Sequence, residues 1–107
     1  MTLLTDKENY TKEILSSAGL RIIEFYAEWS GPCQMMFPIY EELSFMYDYA
    51  ATFYMVDVDE SPALKTELGI TALPTILFYK NGIVIDFVTG LISKNLIIAK
   101  LENAITS

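Results

Sequence analysis

A hydroxyl, a thiol and an indole lie within five residues of one another in the stretch FYAEWSGPCQMMFP, residues 25–38. It holds Trp29 and Cys33, the one tryptophan and the one cysteine of the chain. Ser30 and Cys33 are separated by Gly31 and Pro32, the spacing of a two-thiol redox pair with a hydroxyl where the first thiol would stand. In such a pair one thiolate attacks a substrate disulfide and the second resolves the mixed disulfide; with one alone a covalent adduct remains. A serine hydroxyl is too weak an acid to supply an alkoxide at neutral pH, and the chain has no histidine to act as its base. Ser30 has another use. A serine ahead of a helix accepts a hydrogen bond from the amide two or three residues on, worth ~1 kcal/mol, and Ser30 to Cys33 has that spacing. Cys33 then reads as a partly buried, poorly reactive thiol, or as a monothiol able to form a mixed disulfide with glutathione or a partner protein.

Glu24 is the second residue of chemical interest. It stands in an apolar run with Ile22 and Tyr26 on the same face, so it is expected to point into the core beneath Ser30 and Cys33. Burial disfavours the charged form of a carboxyl, and Glu24 is expected to be protonated near neutrality. Asp57, Asp59 and Glu60 lack the spacing and glycine of a calcium loop and read as a solvated strand end. Met35, Met36, Phe45, Met46 and Tyr49 recur at helical spacing and read as core. Glu41 and Glu42 read as an outer helix face.

These residues are carried by a regular alternation of elements. Apolar positions at Tyr10, Ile14 and Leu15 predict a helix over 6–16, with Thr5 as its cap and Gly19 beyond its end. Residues 20–26 are nearly all apolar, the pattern of a strand covered on both faces. A helix follows over about 32–48, with apolar positions at Met36, Ile39, Leu43 and Met46 and with Pro38 inside it. Residues 52–57 predict a strand, and Ser61-Pro62 opens a short helix ending at Gly69. Strands over 75–79 and 83–88 flank Asn81-Gly82, which asks for a turn with positive φ at both central residues. A last amphipathic helix covers 93–105. The pattern βαβαβα-ββα predicts an α/β domain with a mixed sheet and helices on both faces, a single domain over 1–107.

The bulk properties narrow the function. Apolar residues make up 52% of the 107-residue chain, enough for a real core. The net charge is −7 and the seven Lys and Arg residues are scattered, which argues against nucleic-acid binding by phosphate neutralisation. No run is long and apolar enough to predict a membrane span, and the N-terminus does not read as a signal peptide. With a single cysteine, this predicts a reducing, cytoplasmic location. The absence of histidine removes Ser-His-Asp and Cys-His catalysis and argues against a zinc site. No metal or other cofactor is expected.

Over essentially its whole length the chain resembles the thioredoxins. The resemblance rests on Glu24-Phe25-Tyr26-Ala27-Glu28-Trp29, Gly31-Pro32-Cys33 and Pro38. It continues through Asp57-Val58-Asp59, Leu73-Pro74-Thr75, Phe78-Tyr79-Lys80-Asn81-Gly82 and Gly90 before Ser93-Lys94. It implies a thioredoxin fold, a central mixed five-stranded sheet flanked by four helices. It also implies a thiol-disulfide oxidoreductase, a protein disulfide reductase serving electron transport and redox homeostasis, whose catalytic positions are Ser30, Cys33 and Glu24. Trp29, Gly31, Pro32, Leu73, Pro74, Thr89 and Gly90 would form a groove for extended peptide substrates, with Pro74 after a cis peptide bond facing Cys33. The Leu73 backbone would pair with the peptide like a short added strand. A thioredoxin reductase is implied as a partner. The family's usual lysine partner for the buried acid is replaced by Met55. As written, W-S-G-P-C should lack dithiol turnover, whether Ser30 arose by descent or by design. That leaves three readings: a redox protein with its nucleophile exchanged, a non-catalytic peptide-binding module on the same groove, or a monothiol acting through Cys33.

Overall fold

The structure, a computed structural model, describes residues 2–107. Its organising element is β2 (Leu20–Tyr26), whose residues are buried almost without exception, as the unbroken apolar run requires. β3 (Ala51–Asp57) lies parallel to β2, with Glu24 level with Met55 and Tyr26 level with Asp57. β4 (Thr75–Lys80) lies antiparallel on the other side, with Phe25 level with Thr75 and Glu24 level with Ile76. β5 (Ile83–Thr89) pairs antiparallel with β4, and a short β1 (Thr2–Leu4) pairs parallel with β3. The five strands run in the order β1-β3-β2-β4-β5, the mixed sheet expected from the sequence.

Alternation along β2 divides the core between two faces. Leu20 and Ile22 pack with Met36, Tyr40 and Leu43 of α2 (Gly31–Met46) and with Ile97 and Leu101 of α4 (Lys94–Thr106). Ile23 and Phe25 pack on the opposite face with Tyr10, Ile14 and Leu64, the last from α3 (Pro62–Glu67). Spacings of three and four residues put Cys33, Met36, Tyr40 and Leu43 on one buried stripe of α2.

Several expectations need correction. The helix expected over 6–16 is an α-helix only over Lys7–Tyr10, here α1, and continues as a π-helical turn over Thr11–Leu15 closed by Ser16 N–H donating to the Thr11 carbonyl. Its cap is Asp6, whose carboxylate accepts from the Asn9 amide at 3.0 Å, rather than Thr5. Thr5 instead extends the β1 pairing, its amide donating to the Met55 carbonyl at 3.0 Å. The helix expected to reach residue 48 ends at Met46. Of the apolar group assigned to the core, only Met36 is buried; Met35, Phe45, Met46 and Tyr49 are exposed. The reason is phase: once Met36, Tyr40 and Leu43 face the sheet, Met35 and Phe45 must face away. Glu41 and Glu42 do carry partners, Thr2 Oγ1 donating to Glu41 at 2.8 Å and Lys94 pairing with Glu42.

The Asn81-Gly82 turn has φ of 52° and 81°, as the hairpin demands. The Asn81 side chain accepts from the Gly19 amide at 2.8 Å, tying the hairpin to the entry of β2. A Cβ on Gly82 would stand 2.3 Å from the Leu15 carbonyl oxygen. Among the described residues, no helix is long and apolar enough to cross a membrane.

Candidate active site at the start of the second helix

The strand register brings the candidate residues to one end of the sheet. Because Phe25 is level with Thr75, the chain leaving β2 toward 27–32 lies beside the chain entering β4 through Leu73 and Pro74. Thr75 is level with Thr89, which adds Thr89 and Gly90. The loop leaving β3 after Asp57 joins them because Asp57 is level with Tyr26.

Ser30 sits at the N-cap of α2 with extended backbone (φ −82°, ψ 119°). Its amide donates to the Ala27 carbonyl at 3.1 Å, and its carbonyl accepts from Gln34 N at 3.0 Å. Its hydroxyl accepts a long hydrogen bond, 3.4 Å, from the Cys33 amide. Ser30 thus satisfies one of the amide donors that a helix start leaves unpaired. The Gln34 side chain donates to the Glu28 carbonyl at 2.8 Å and fastens the preceding loop. Ser30 is only 5% exposed and Cys33 is fully buried beneath it. Gly31 and Pro32, between them, are exposed.

Trp29 is 72% exposed yet held, because its indole N–H donates to Asp59 at 2.7 Å. Asp57 supports Asp59 in turn, accepting from the Asp59 amide at 2.9 Å. Sequence reasoning missed this role of Asp59 and treated it as part of a solvated strand end.

On the neighbouring chain entering β4, the Leu73–Pro74 bond is cis. The Pro74 carbonyl accepts from the Gly90 amide at 2.7 Å, and Thr75 Oγ1 donates to the Ala72 carbonyl at 2.6 Å. Gly90 has φ of 78°, and nothing would crowd a Cβ there, so its glycine is required by conformation rather than by space. Among the described residues, neither the amide nor the carbonyl of Leu73 has a hydrogen-bond partner.

Glu24 lies beneath this surface with no exposure at all. Its neighbours in register are Met55 and Ile76, and neither carboxyl oxygen has a hydrogen-bond partner among the described residues. Burial alone pushes its pKa from 4.5 up to about 8. Tyr40, on the same face of α2 as Cys33, gives its hydroxyl to the backbone, within 3.0 Å of the Ile22 carbonyl and 2.8 Å of the Tyr54 carbonyl. Its own pKa is pushed far up by burial and then by Glu24. Among the described residues, no group of three metal-ligating side chains is assembled.

The five-stranded sheet, the helix start carrying Ser30 and Cys33, and the cis-proline loop opposite define a thioredoxin-type domain. The family model for thioredoxin matches residues 1–103. Thioredoxin 2 of Chlorobaculum tepidum is 39% identical over 98 residues, covering 92% of this chain and 90% of that protein. The thioredoxin of Chlorobaculum thiosulfatiphilum is 39% identical over 101 residues, 94% of this chain and 93% of that protein. The thioredoxin of Rickettsia bellii is 35% identical over 102 residues, covering 95% of this chain and 96% of that protein. The chain belongs to the thioredoxin family, and these relatives support a thioredoxin-like redox function.

Proposed function

We propose that this chain is a thioredoxin-type recognition domain that binds extended segments of protein substrates in the groove between Trp29 and the Leu73–Pro74 loop, without dithiol turnover. The observation that carries this reading is the site pair itself: a capping hydroxyl at Ser30 above a fully buried Cys33. Redox turnover needs an accessible thiolate to attack and a second thiol to resolve. Ser30 supplies neither, and its hydroxyl is already engaged as an acceptor for the Cys33 amide. The groove is independent of that loss, because its elements are the exposed indole, the two unpaired backbone groups of Leu73 and the open φ-positive Gly90.

A thioredoxin reductase has nothing to reduce within this chain, since one cysteine cannot form an internal disulfide. Burial of Cys33 also argues against a monothiol that reacts freely with glutathione. Glu24 remains buried in the core although one thiol of a redox pair is absent.

Insulin-disulfide reduction driven by dithiothreitol tests the chemical half of the proposal. The chain should give no more reduction than its Cys33→Ala variant, and Ser30→Cys should create activity well above both. Activity of the unaltered chain clearly above Cys33→Ala would overturn the claim of no turnover.

A further inference from the structure

The rim of the groove carries one sign of charge. Glu28 precedes Trp29, Asp57 ends β3, and Asp59 and Glu60 follow it, all at the end of the sheet where the groove lies. Glu28, Asp59 and Glu60 are exposed. The Tyr26 hydroxyl, beside which these groups gather, has its pKa raised by burial first and then by Asp57, Glu28, Glu60 and Glu24, every one an acid.

Five of the seven Lys and Arg residues have other partners. Lys7 pairs with Glu67 at 2.8 Å, Lys94 with Glu42, and Lys100 with Asp86 at 2.9 Å. Lys80 binds the carbonyls of Ala104 and Ser107, and Arg21 donates to the Thr52 hydroxyl. Among the described residues, no Lys or Arg makes an ion pair with Glu28, Asp57, Asp59 or Glu60. The N-terminus of α2 opposes the rim with about half a positive charge, too little to balance four carboxylates. At the same end of the sheet lie the exposed Trp29 and the Leu73 backbone, which has no hydrogen-bond partner among the described residues. An exposed indole beside carboxylates that no Lys or Arg pairs with is complementary to a segment whose centre is apolar and whose flanks are positive.

We propose that the groove selects extended protein segments in which Lys or Arg residues flank a short apolar core, and that its acidic rim disfavours acidic segments. This rests on the peptide-groove reading given above and adds the class of partner. Such exposed charges act mainly through long-range attraction, so the preference belongs to low and moderate ionic strength. Glu28, Asp57 and Glu60, each at the modest strength of an exposed pair, together amount to about a tenfold preference.

Trp29 is the only tryptophan and stands in the groove, so its fluorescence reports occupancy. Three peptides sharing one apolar core, flanked by Lys, Ser or Glu, are titrated at about 0.01 M and about 1 M salt, where the Debye length is about 30 Å and about 3 Å. The Lys-flanked peptide should bind about tenfold more tightly than the Ser-flanked one at low salt, with the Glu-flanked peptide weakest, and the order should vanish at high salt. Glu28→Gln, Asp57→Asn and Glu60→Gln combined should bring the Lys-flanked peptide to the level of the Ser-flanked one. Asp59 is left intact because it holds Trp29, and asparagine at 57 keeps an oxygen for the Asp59 amide. Equal binding of all three peptides at low salt would overturn the charge selectivity while leaving the groove standing. So would a Lys preference that survives the triple variant. If none of the peptides binds, the groove reading falls and takes this inference with it.

Discussion

Replacing Glu24 by glutamine isolates the energetic effect of one ionisable group in the centre of the fold. Glutamine keeps the length and shape of the side chain but cannot ionise, so the variant lacks only the titration. In the folded chain the Glu24 carboxyl titrates at about 8, against an ordinary 4.5, because it is buried with no partner for either oxygen. Between those two pH values the folded state holds a proton that the unfolded state has lost. The folded state therefore binds more protons there, and stability must fall as pH rises. The full contribution is present below pH 4.5 and is lost by the time pH passes about 8. At about 1.4 kcal/mol per pH unit, the gap corresponds to a loss on the order of 5 kcal/mol, a large share of the stability of a typical domain.

The window is well placed for measurement, because the chain has no histidine to titrate within it. Urea unfolding followed by far-ultraviolet circular dichroism between pH 5 and pH 8.5 gives the two stability profiles. The unaltered chain should lose on the order of 4 kcal/mol more than Glu24→Gln across that range, with most of the difference accumulated by pH 8. Parallel profiles would refute the reasoning. So would a Glu24 carboxyl resonance that titrates at four or below.

Three other substitutions test separate parts of the structure. Ser30→Ala removes the cap of α2 and should cost about 0.5 kcal/mol by urea unfolding, at the low end for a cap because the bond is long; no loss would mean the hydroxyl does not cap the helix. Gly82→Ala forces a Cβ against the Leu15 carbonyl at a φ of 81° and should cost about 2–3 kcal/mol; a loss under about 0.5 kcal/mol would contradict the contact. Asp59→Ala frees the Trp29 indole and should lower its fluorescence anisotropy while changing stability by no more than about 1 kcal/mol; unchanged anisotropy would show that packing alone holds the ring.

What could be read from the sequence follows the range of the forces involved. β2 was legible because a strand buried on both faces must be largely apolar, and Glu24 stood out as the buried acid within it. The hairpin was legible because only a few residue types tolerate positive φ, and Asn81-Gly82 are two of them. The break at Thr11 was not legible, since one extra residue in a helical turn leaves Tyr10 and Ile14 both inward, as a regular helix would. β1 has only three residues, and its position depends on pairing with a strand some fifty residues away. Met35, Phe45 and Tyr49 were misread because residue type was allowed to outweigh helical phase. The bond between Trp29 and Asp59 depends on how two loops meet at the end of the sheet, which no local pattern encodes. The Leu73 backbone without a partner among the described residues, and the absence of an ion pair to Glu28, Asp57, Asp59 or Glu60 among them, required the fold.

Position 30 gathers these threads because a helix start serves two kinds of residue for the same physical reason. Unpaired amides and the positive end of the helix dipole stabilise a thiolate, and they also give a serine oxygen a donor to accept from. A cysteine there would use that field for chemistry; Ser30 uses it for structure, through the Cys33 amide. With Ser30 at this position, α2 and the cis Leu73–Pro74 loop of the family's architecture are in place. Glu24 is the residue on which the exchange bears hardest. Its burial, with no hydrogen-bond partner for either oxygen among the described residues, gives a stability loss that grows with pH. On the binding reading proposed above, the acid beneath the site is the part of the redox machinery that the serine would leave idle.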